Sequence, residues 1–410
     1  MKKGWITVFT VLLAFIMLVG FAACEKDNGE SGGGDENGQN ISDDDYTLEI
    51  YGIYDQPALV TKAQIKQLAQ TKLVEYTWDN PCYASDKTDD DGNPIPHAVK
   101  GVYLDDILNE YVNQNESEPL YSGSFPAMTL IDDENNYSMI FTQEVYSVAH
   151  GGSDMIIAFE YDGITLNPNE KSGALRAVFP DQAMGAWVKK LKQIVFSEIE
   201  IEMPEAEKLN FIEMLDQKYY GSLQKGENTW YGISLAALFE DGLLQADENH
   251  KMYVEAWDFE EGEYKAFVRW TAYDYYSGAL LANEVKEGQG PKTPYEQSYR
   301  FEGASGGKGM SIKNTLAVSV KKAALLSLEN AFKVFDTDGD NALDFTVILE
   351  RVNMYSETHS YTVTDIDGDQ TVLTAPQLSQ AVLSKTEEGY ILTYGQSDSI
   401  NIKSISKKAA

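Results

Sequence analysis

The chain has 410 residues, 43% of them hydrophobic, with 65 acidic against 32 basic side chains and a formal net charge of −33. That balance excludes nucleic acid as a partner, since binding it needs a basic footprint, and opposes close contact with an anionic lipid surface. It favours solubility, and leaves cations or a basic surface partner as the classes the chain would attract.

At the N-terminus, Lys2 and Lys3 precede an apolar run from Trp5 to Phe21, followed by Ala22, Ala23 and Cys24. A basic start, an apolar stretch and small residues make a secretory signal over residues 1–23. A cysteine directly after the small pair resembles a bacterial lipobox, which implies cleavage before Cys24 and acylation of that residue. The alternative is a plain transmembrane anchor, because about 17 apolar residues nearly span a bilayer. Residues 24–45 are rich in Gly, Ser, Asn and acids and lack apolar periodicity, so a flexible lipidated tether is expected. The expected address is the extracytoplasmic side of a bacterial cell membrane, reached through the lipid anchor. With Cys24 lipidated, Cys82 has no partner within the chain and the fold uses no disulfide.

From Tyr46 onward the pattern is one of strands with few helices, an α+β and mainly β arrangement. Residues 46–54 alternate apolar and polar, as a half-buried strand does. Thr61 is placed to cap a helix carrying Ile65 and Leu68 on one face. A second strand ends at Trp78, just before Cys82. Gly101 is expected to make a turn into a helix with Leu104, Ile107, Leu108 and Val112 at helical spacing. Residues 127–141 read as a hairpin, and the strand after Asp154 meets an Asp-Gly turn.

Part of this order recurs. Gly101-Val-Tyr-Leu-Asp-Asp-Ile-Leu returns as Gly232-Ile-Ser-Leu-Ala-Ala-Leu-Phe and, more faintly, as Leu343-Asp-Phe-Thr-Val-Ile-Leu. An apolar strand leading into an acidic turn follows each copy, and a lysine-bearing strand closes each set. Three blocks are therefore expected, 46–203, 204–322 and 323–410, the later ones being shorter, diverged repeats.

The first block also carries a set of motifs: Gly101-Val-Tyr-Leu, the Asp162-Gly163 turn, Gly173-Ala-Leu-Arg-Ala-Val-Phe-Pro, and Trp187-Val-Lys with Ile194. Together they resemble the molybdopterin-binding domain of the sulfite-oxidase family, over roughly Tyr46 to Glu202. The resemblance implies a sulfite-oxidase-like fold that binds molybdopterin and holds molybdenum through one cysteine thiolate placed after a strand. Cys82 stands at that place, and Arg176 is the matching basic residue for cofactor contact. Thiolate ligation suits a soft metal centre.

The sequence departs from the family where charge matters. A dianionic phosphate needs cationic forks, yet Arg176 is the only arginine between Tyr46 and Met203 and the segment around Cys82 is acidic. Acidic neighbours raise a thiol pKa and disfavour the thiolate. The expectation is a binding or accessory lipoprotein with a degenerate pterin site. The alternative is a molybdopterin-dependent oxidoreductase with Cys82 as the molybdenum ligand.

A further alternative is a calcium-binding surface scaffold or adhesin. Asp336, Asp338 and Asp340 occupy positions one, three and five of an EF-hand-like loop, with Asp344 at nine and Val347 where the closing acid would stand. A second loop, from Asp365, opens in the same way. No Ser-His-Asp set, phosphate loop or zinc spacing occurs, and no catalytic residue is assigned.

Overall fold

The computed structural model describes residues 42–408 apart from 79–95, 116, 134–137, 171, 181, 183–185, 199–200, 248–249, 261–262, 272, 297, 304–310, 388 and 396–397. The signal segment, Cys24, the tether up to residue 41, and Cys82 lie outside the described residues. No described helix is long and apolar enough to cross a membrane.

Strand β1 (Thr47–Tyr51) buries Leu48 and Ile50 by simple alternation. β2 (Ala58–Thr61) runs antiparallel to it and ends at the helix cap. There Thr61 Oγ1 accepts the Gln64 N–H (3.2 Å) while Gln64 Oε1 accepts the Thr61 N–H (2.8 Å), a reciprocal capping box. Helix α1 (Lys62–Lys72) then buries Ile65 and Leu68, as their spacing predicts. Lys62 is buried too, its ammonium held by the Asp43 carboxylate and the Leu166 carbonyl.

β3 (Val74–Trp78) pairs antiparallel with β4 (His97–Tyr103), setting Trp78 opposite His97. Gly101 does not make a turn; it lies within β4. The partner strand β7 (Ile156–Tyr161) slips register between Lys100 and Gly101. A Cβ at Gly101 would stand 2.4 Å from the Ile157 carbonyl oxygen, so this bulge excludes a side chain. The following helix is short, α2 (Leu104–Ile107), and widens into a π-type stretch over Leu108–Val112. Leu104, Ile107, Leu108 and Val112 are all buried.

β5 (Ala127–Asp132) and β6 (Ser138–Thr142) form the expected hairpin, and the helical turn α3 (Gln143–Tyr146) follows. Asp162 and Gly163 both take positive φ (52° and 76°), which closes β7 tightly onto β8 (Ile164–Thr165). β9 (Arg176–Val178), β10 (Val188–Lys189) and β11 (Leu191–Ser197) complete the block, with β11 parallel to β1. One small sheet has the order β3-β4-β7-β9-β10, with β8 attached to β7.

The second block opens with β12 (Lys208–Phe211), β13 (Tyr220–Lys225), β14 (Asn228–Ser234), α4 (Leu235–Glu240), β15 (Met252–Glu260) and β16 (Glu263–Thr271). It continues with α5 (Tyr273–Tyr276), β17 (Leu280–Glu287), β18 (Lys292–Pro294), β19 (Arg300–Glu302), β20 (Ser311–Ile312), β21 (Thr315–Val320) and β22 (Ala323–Leu326). Its small sheet has the order β13-β14-β17-β19-β20, with β18 attached to β17. Gly232 also sits at a register slip, where a Cβ would lie 2.1 Å from the Leu281 carbonyl oxygen.

The last stretch comprises α6 (Leu328–Phe335), β23 (Ala342–Asp344), α7 (Phe345–Arg351), β24 (Ser360–Asp365) and β25 (Gln370–Thr374). After these come α8 (Ala375–Leu378), β26 (Val382–Thr386), β27 (Gly389–Tyr394) and β28 (Asp398–Lys408). In all three blocks the first residue of the helix donates its N–H to the residue just before the partner strand. These bonds run from Leu104 to Met155 (2.8 Å), Leu235 to Ala279 (2.9 Å) and Phe345 to Ala381 (3.0 Å). Ala342 stands where the glycine would be, and β23 pairs with β26 without a slip, so a Cβ is tolerated there.

A long sheet links the blocks in the order β2-β1-β11-β5-β6-β16-β15-β21-β22-β12-β28-β27-β26-β23. One apolar core joins Leu130 and Phe141 to Val254 and Val318, and a second surrounds α6, α7 and β24. Residues 41–410 form one compact unit, and the fold is α+β, mainly β.

Candidate functional site

The segment carrying Cys82 leaves the sheet at Trp78 and re-enters at His97, so these two residues mark where it is rooted. Their rings stack at 5.3 Å, and Tyr76 stacks on the other side of Trp78 at 5.7 Å. Trp187 meets Trp78 edge-on at 4.7 Å, and Tyr161 does so at 5.7 Å. Polar atoms tie the rings to the backbone. The Tyr76 hydroxyl donates to the Pro180 carbonyl (2.6 Å), and Trp187 Nε1–H donates to the Phe179 carbonyl (3.1 Å). Such contacts lock aromatic orientation as well as burying area.

The Asp162-Gly163 turn does more than reverse the chain. Asp162 Oδ2 lies 2.8 Å from His97 Nδ1, and Asp162 Oδ1 accepts the Ala98 N–H at 2.9 Å. The turn therefore fixes the plane of the imidazole at the root of the Cys82 segment.

Arg176 begins β9, in register with Ala158 on β7 and Lys189 on β10. It is 6% exposed, and its guanidinium carbon sits 4.2 Å from the Tyr161 ring centre. Burial holds the guanidinium below its ordinary range, with Tyr161 and Asp162 opposing the shift. Burial likewise raises the Tyr161 hydroxyl, and Arg176 opposes it. The Arg176 Nε–H has no hydrogen-bond partner among the described residues. A buried charged donor left unmatched is costly, and an anionic acceptor would suit it chemically. The fit to a pterin phosphate is partial: one buried guanidinium is present with Lys189 across the strand, where a dianion prefers several forks.

Of the residues expected at a cofactor site, Arg176 falls among these rings, while Cys82 lies outside the described residues. Sequence reasoning missed His97, Asp162, Trp78 and Trp187 as a group. The available signal was that Trp78 and His97 bracket the cysteine segment in sequence.

The calcium expectation finds no support in the geometry of the described residues. Among the described residues no three His, Cys, Asp or Glu side chains converge to hold a metal ion. Asp336 Oδ1 accepts the N–H groups of Gly339 (2.9 Å) and Asp340 (3.1 Å), and Oδ2 accepts that of Asn341 (3.0 Å). Asp340 accepts from Ala342, and Asp344 caps α7 by accepting the Thr346 N–H (2.9 Å). Asp338 is exposed. The 1-3-5 spacing thus builds a turn in which carboxylates satisfy backbone donors. The second loop does likewise, Asp365 accepting from Asp367 and Asp369.

Comparison with known proteins bears on the first block. Residues 36–204 match the family model described as the oxidoreductase molybdopterin binding domain. No curated protein matches. Twenty-eight solved chains match. One of them is the sulfane dehydrogenase SoxCD from Paracoccus pantotrophus, 12% identical, with 67% of this chain and 79% of that chain covered and a TM-score of 0.27. The motifs around Arg176 and the family match over the same stretch agree: this chain carries, over residues 36–204, a sulfite-oxidase-like molybdopterin-binding domain.

Proposed function

We propose that the first block binds an anionic group of the molybdopterin class at the Arg176 end of its small sheet, in a protein tethered by an acylated Cys24 to the extracytoplasmic side of a membrane. The observation that carries this is the buried Arg176 Nε–H without a partner among the described residues. Leaving such a donor unmatched costs about 1–3 kcal/mol, which a phosphate oxygen would recover as a charge-assisted bond. Arg176 would hold the anion, the Trp78, Tyr161 and Trp187 rings would exclude water, and Cys82 would offer the thiolate. When bound, such a cofactor supplies the redox chemistry.

The second reading is an accessory role with a degenerate site. It is favoured by Arg176 being the only arginine in the block and by the acids around Cys82. Metal analysis of natively expressed protein separates the two. Near-equimolar molybdenum, lost in both Arg176→Gln and Cys82→Ser, supports the cofactor reading. Molybdenum-free protein that folds unchanged as Cys82→Ser supports the accessory one. Molybdenum retained in Arg176→Gln removes the role given to that residue.

The same reading treats 204–322 and 323–410 as diverged copies of the first block. In support stand the common succession of elements, the three equivalent helix-start hydrogen bonds, and the paired glycines at register slips. Anchoring is tested separately: Cys24→Ala should abolish incorporation of labelled fatty acid, and unchanged labelling would sink the lipid anchor.

A further inference from the structure

A second buried charge lies far along the chain from Arg176 and plays no part in the site above. Glu255 sits on β15 and is 2% exposed, on the strand face that also carries Tyr253 and Trp257. Its Oε2 accepts the Tyr253 hydroxyl at 3.3 Å and its Oε1 accepts Trp257 Nε1–H at 3.2 Å. A carboxylate has about four lone-pair sites, so two bonds leave it half-used. The facing cation is Arg351 on α7, with Nη1 at 3.8 Å from Oε1, beyond hydrogen-bond reach. Arg351 is 41% exposed on its side chain, and its guanidinium carbon lies 5.5 Å from the Trp257 ring centre and 5.1 Å from that of Phe335.

Between these groups opens a cavity of about 360 Å³, lined by Met203, Tyr253, Glu255, Val347, Glu350 and Arg351. At about 30 Å³ per water-sized group, it has room for roughly a dozen heavy atoms. The buried Glu255 carboxylate lines it together with the Tyr253 ring and the side chains of Met203 and Val347, and so does an exposed acid, Glu350. A buried carboxylate is costly unless a cation meets it in bonding geometry, and Arg351 does not. The Tyr253 ring favours a cation as well.

We propose that this cavity is a binding site for a small organic cation, a primary ammonium on a short apolar stem. The ammonium takes the open lone pairs of Glu255, and the stem lies against Tyr253, Val347 and Met203. Arg351 moves outward, as its exposure and long contact allow. Burial raises the Glu255 carboxyl, with Arg351 opposing, in keeping with a carboxylate short of positive partners.

The test uses the full chain and n-butylammonium as the probe, with butyrate as the control of opposite sign. Calorimetry and Trp fluorescence should report saturable binding of n-butylammonium and none of butyrate. Glu255→Gln should weaken binding by about tenfold or more, the loss of one charge-assisted hydrogen bond. Should that variant fail to fold, Val347→Trp fills the cavity while keeping Glu255, and it should block binding. Absence of saturable ammonium binding overturns the proposal, as does binding that survives either variant. Butyrate binding lost in Arg351→Gln also overturns it, since it would make Arg351 the receptor for an anion.

Discussion

Arg176 in the first block and Arg300 in the second occupy the same place in their sheets. Each begins the fourth strand of its sheet, opposite an alanine of the third: Arg176 faces Ala158, and Arg300 faces Ala282. Each guanidinium also lies over a ring, Tyr161 at 4.2 Å and Trp230 at 4.5 Å. Two residues later the blocks diverge. The second block has Glu302, fully buried, which accepts from Arg300 Nε and pairs with Lys225 at 3.1 Å. The first block has Val178 there, and Arg176 Nε finds no partner among the described residues. The neighbouring connections differ in parallel: β13 and β14 turn through Gly226 and Glu227, whereas β3 and β4 are joined by residues 79–96 with Cys82 among them. One sheet compensates its cation internally and closes through a two-residue turn; in the other the guanidinium Nε–H has no partner among the described residues, and the strand connection is longer in sequence. Equal positions in a fold therefore do not carry equal chemistry.

The largest effect should come from breaking the compensated cluster around Glu302. Glu302→Ala leaves Arg300 and Lys225 without their buried counter-charge, and removal of one partner from a buried network costs about 3–5 kcal/mol. Urea unfolding would register this as a lower midpoint at constant slope. A loss below about 1 kcal/mol, the scale of an exposed pair, would mean that Glu302 is no buried anchor.

Substitution of the paired glycines tests whether the two blocks share one construction. Gly101→Ala and Gly232→Ala each drive a Cβ into a backbone carbonyl, at 2.4 and 2.1 Å, and each should cost about 1–3 kcal/mol. The closer approach at Gly232 predicts the larger loss there. Little cost at either position would separate the blocks, since it would mean that one bulge relaxes freely.

Local rules could be read in the chain and relations between strands could not. The Thr61 cap, the buried Ile65 and Leu68, the 127–141 hairpin and the Asp162-Gly163 turn each depend on residues a few positions apart, and all were expected. Gly101 was expected as a turn because glycine often marks one; its actual constraint comes from the register of β7, more than fifty residues on. The ring cluster needs Trp78, Tyr161 and Trp187 brought together by sheet order, which no window of sequence contains. The acidic loop is subtler. The aspartate spacing was read as an EF-hand-like loop, but the same spacing serves backbone capping as well as metal ligation, and Val347 stands where the closing acid would be. Glu255 was detectable, since an acid between Tyr253 and Trp257 on one strand face is a polar residue at a buried position.

A smaller effect distinguishes the two uses of the acidic loop. If Asp344 serves as the cap of α7, Asp344→Ala should cost about 1 kcal/mol, with a melting temperature that millimolar calcium leaves unchanged in both proteins. A calcium-dependent rise in the parent that Asp344→Ala abolishes would give the carboxylate a different role from the one its contact with Thr346 indicates.

The smallest effect is expected at Arg176, and its smallness is the point. In cofactor-free protein, Arg176→Leu removes a buried charge whose Nε–H is unmatched among the described residues and puts an apolar side chain in its place. Such replacements are often neutral or stabilising. Against this stands the loss of the contact with Tyr161, worth about 0.5–2 kcal/mol depending on desolvation. The two terms nearly offset, so stability should change by less than about 1 kcal/mol. Arg300→Leu should cost clearly more, because it strips Glu302 of one of its two cations. A converse substitution sharpens the contrast. Val178→Glu installs in the first block the carboxylate that Glu302 provides in the second, two residues along the same strand and on the same face as Arg176. If Arg176 is kept open for an anion, Val178→Glu should leave the protein folded and reduce its anion binding as strongly as Arg176→Gln does. If anion binding is indifferent to both substitutions, Arg176 has no part in it and the two sheets differ in packing alone.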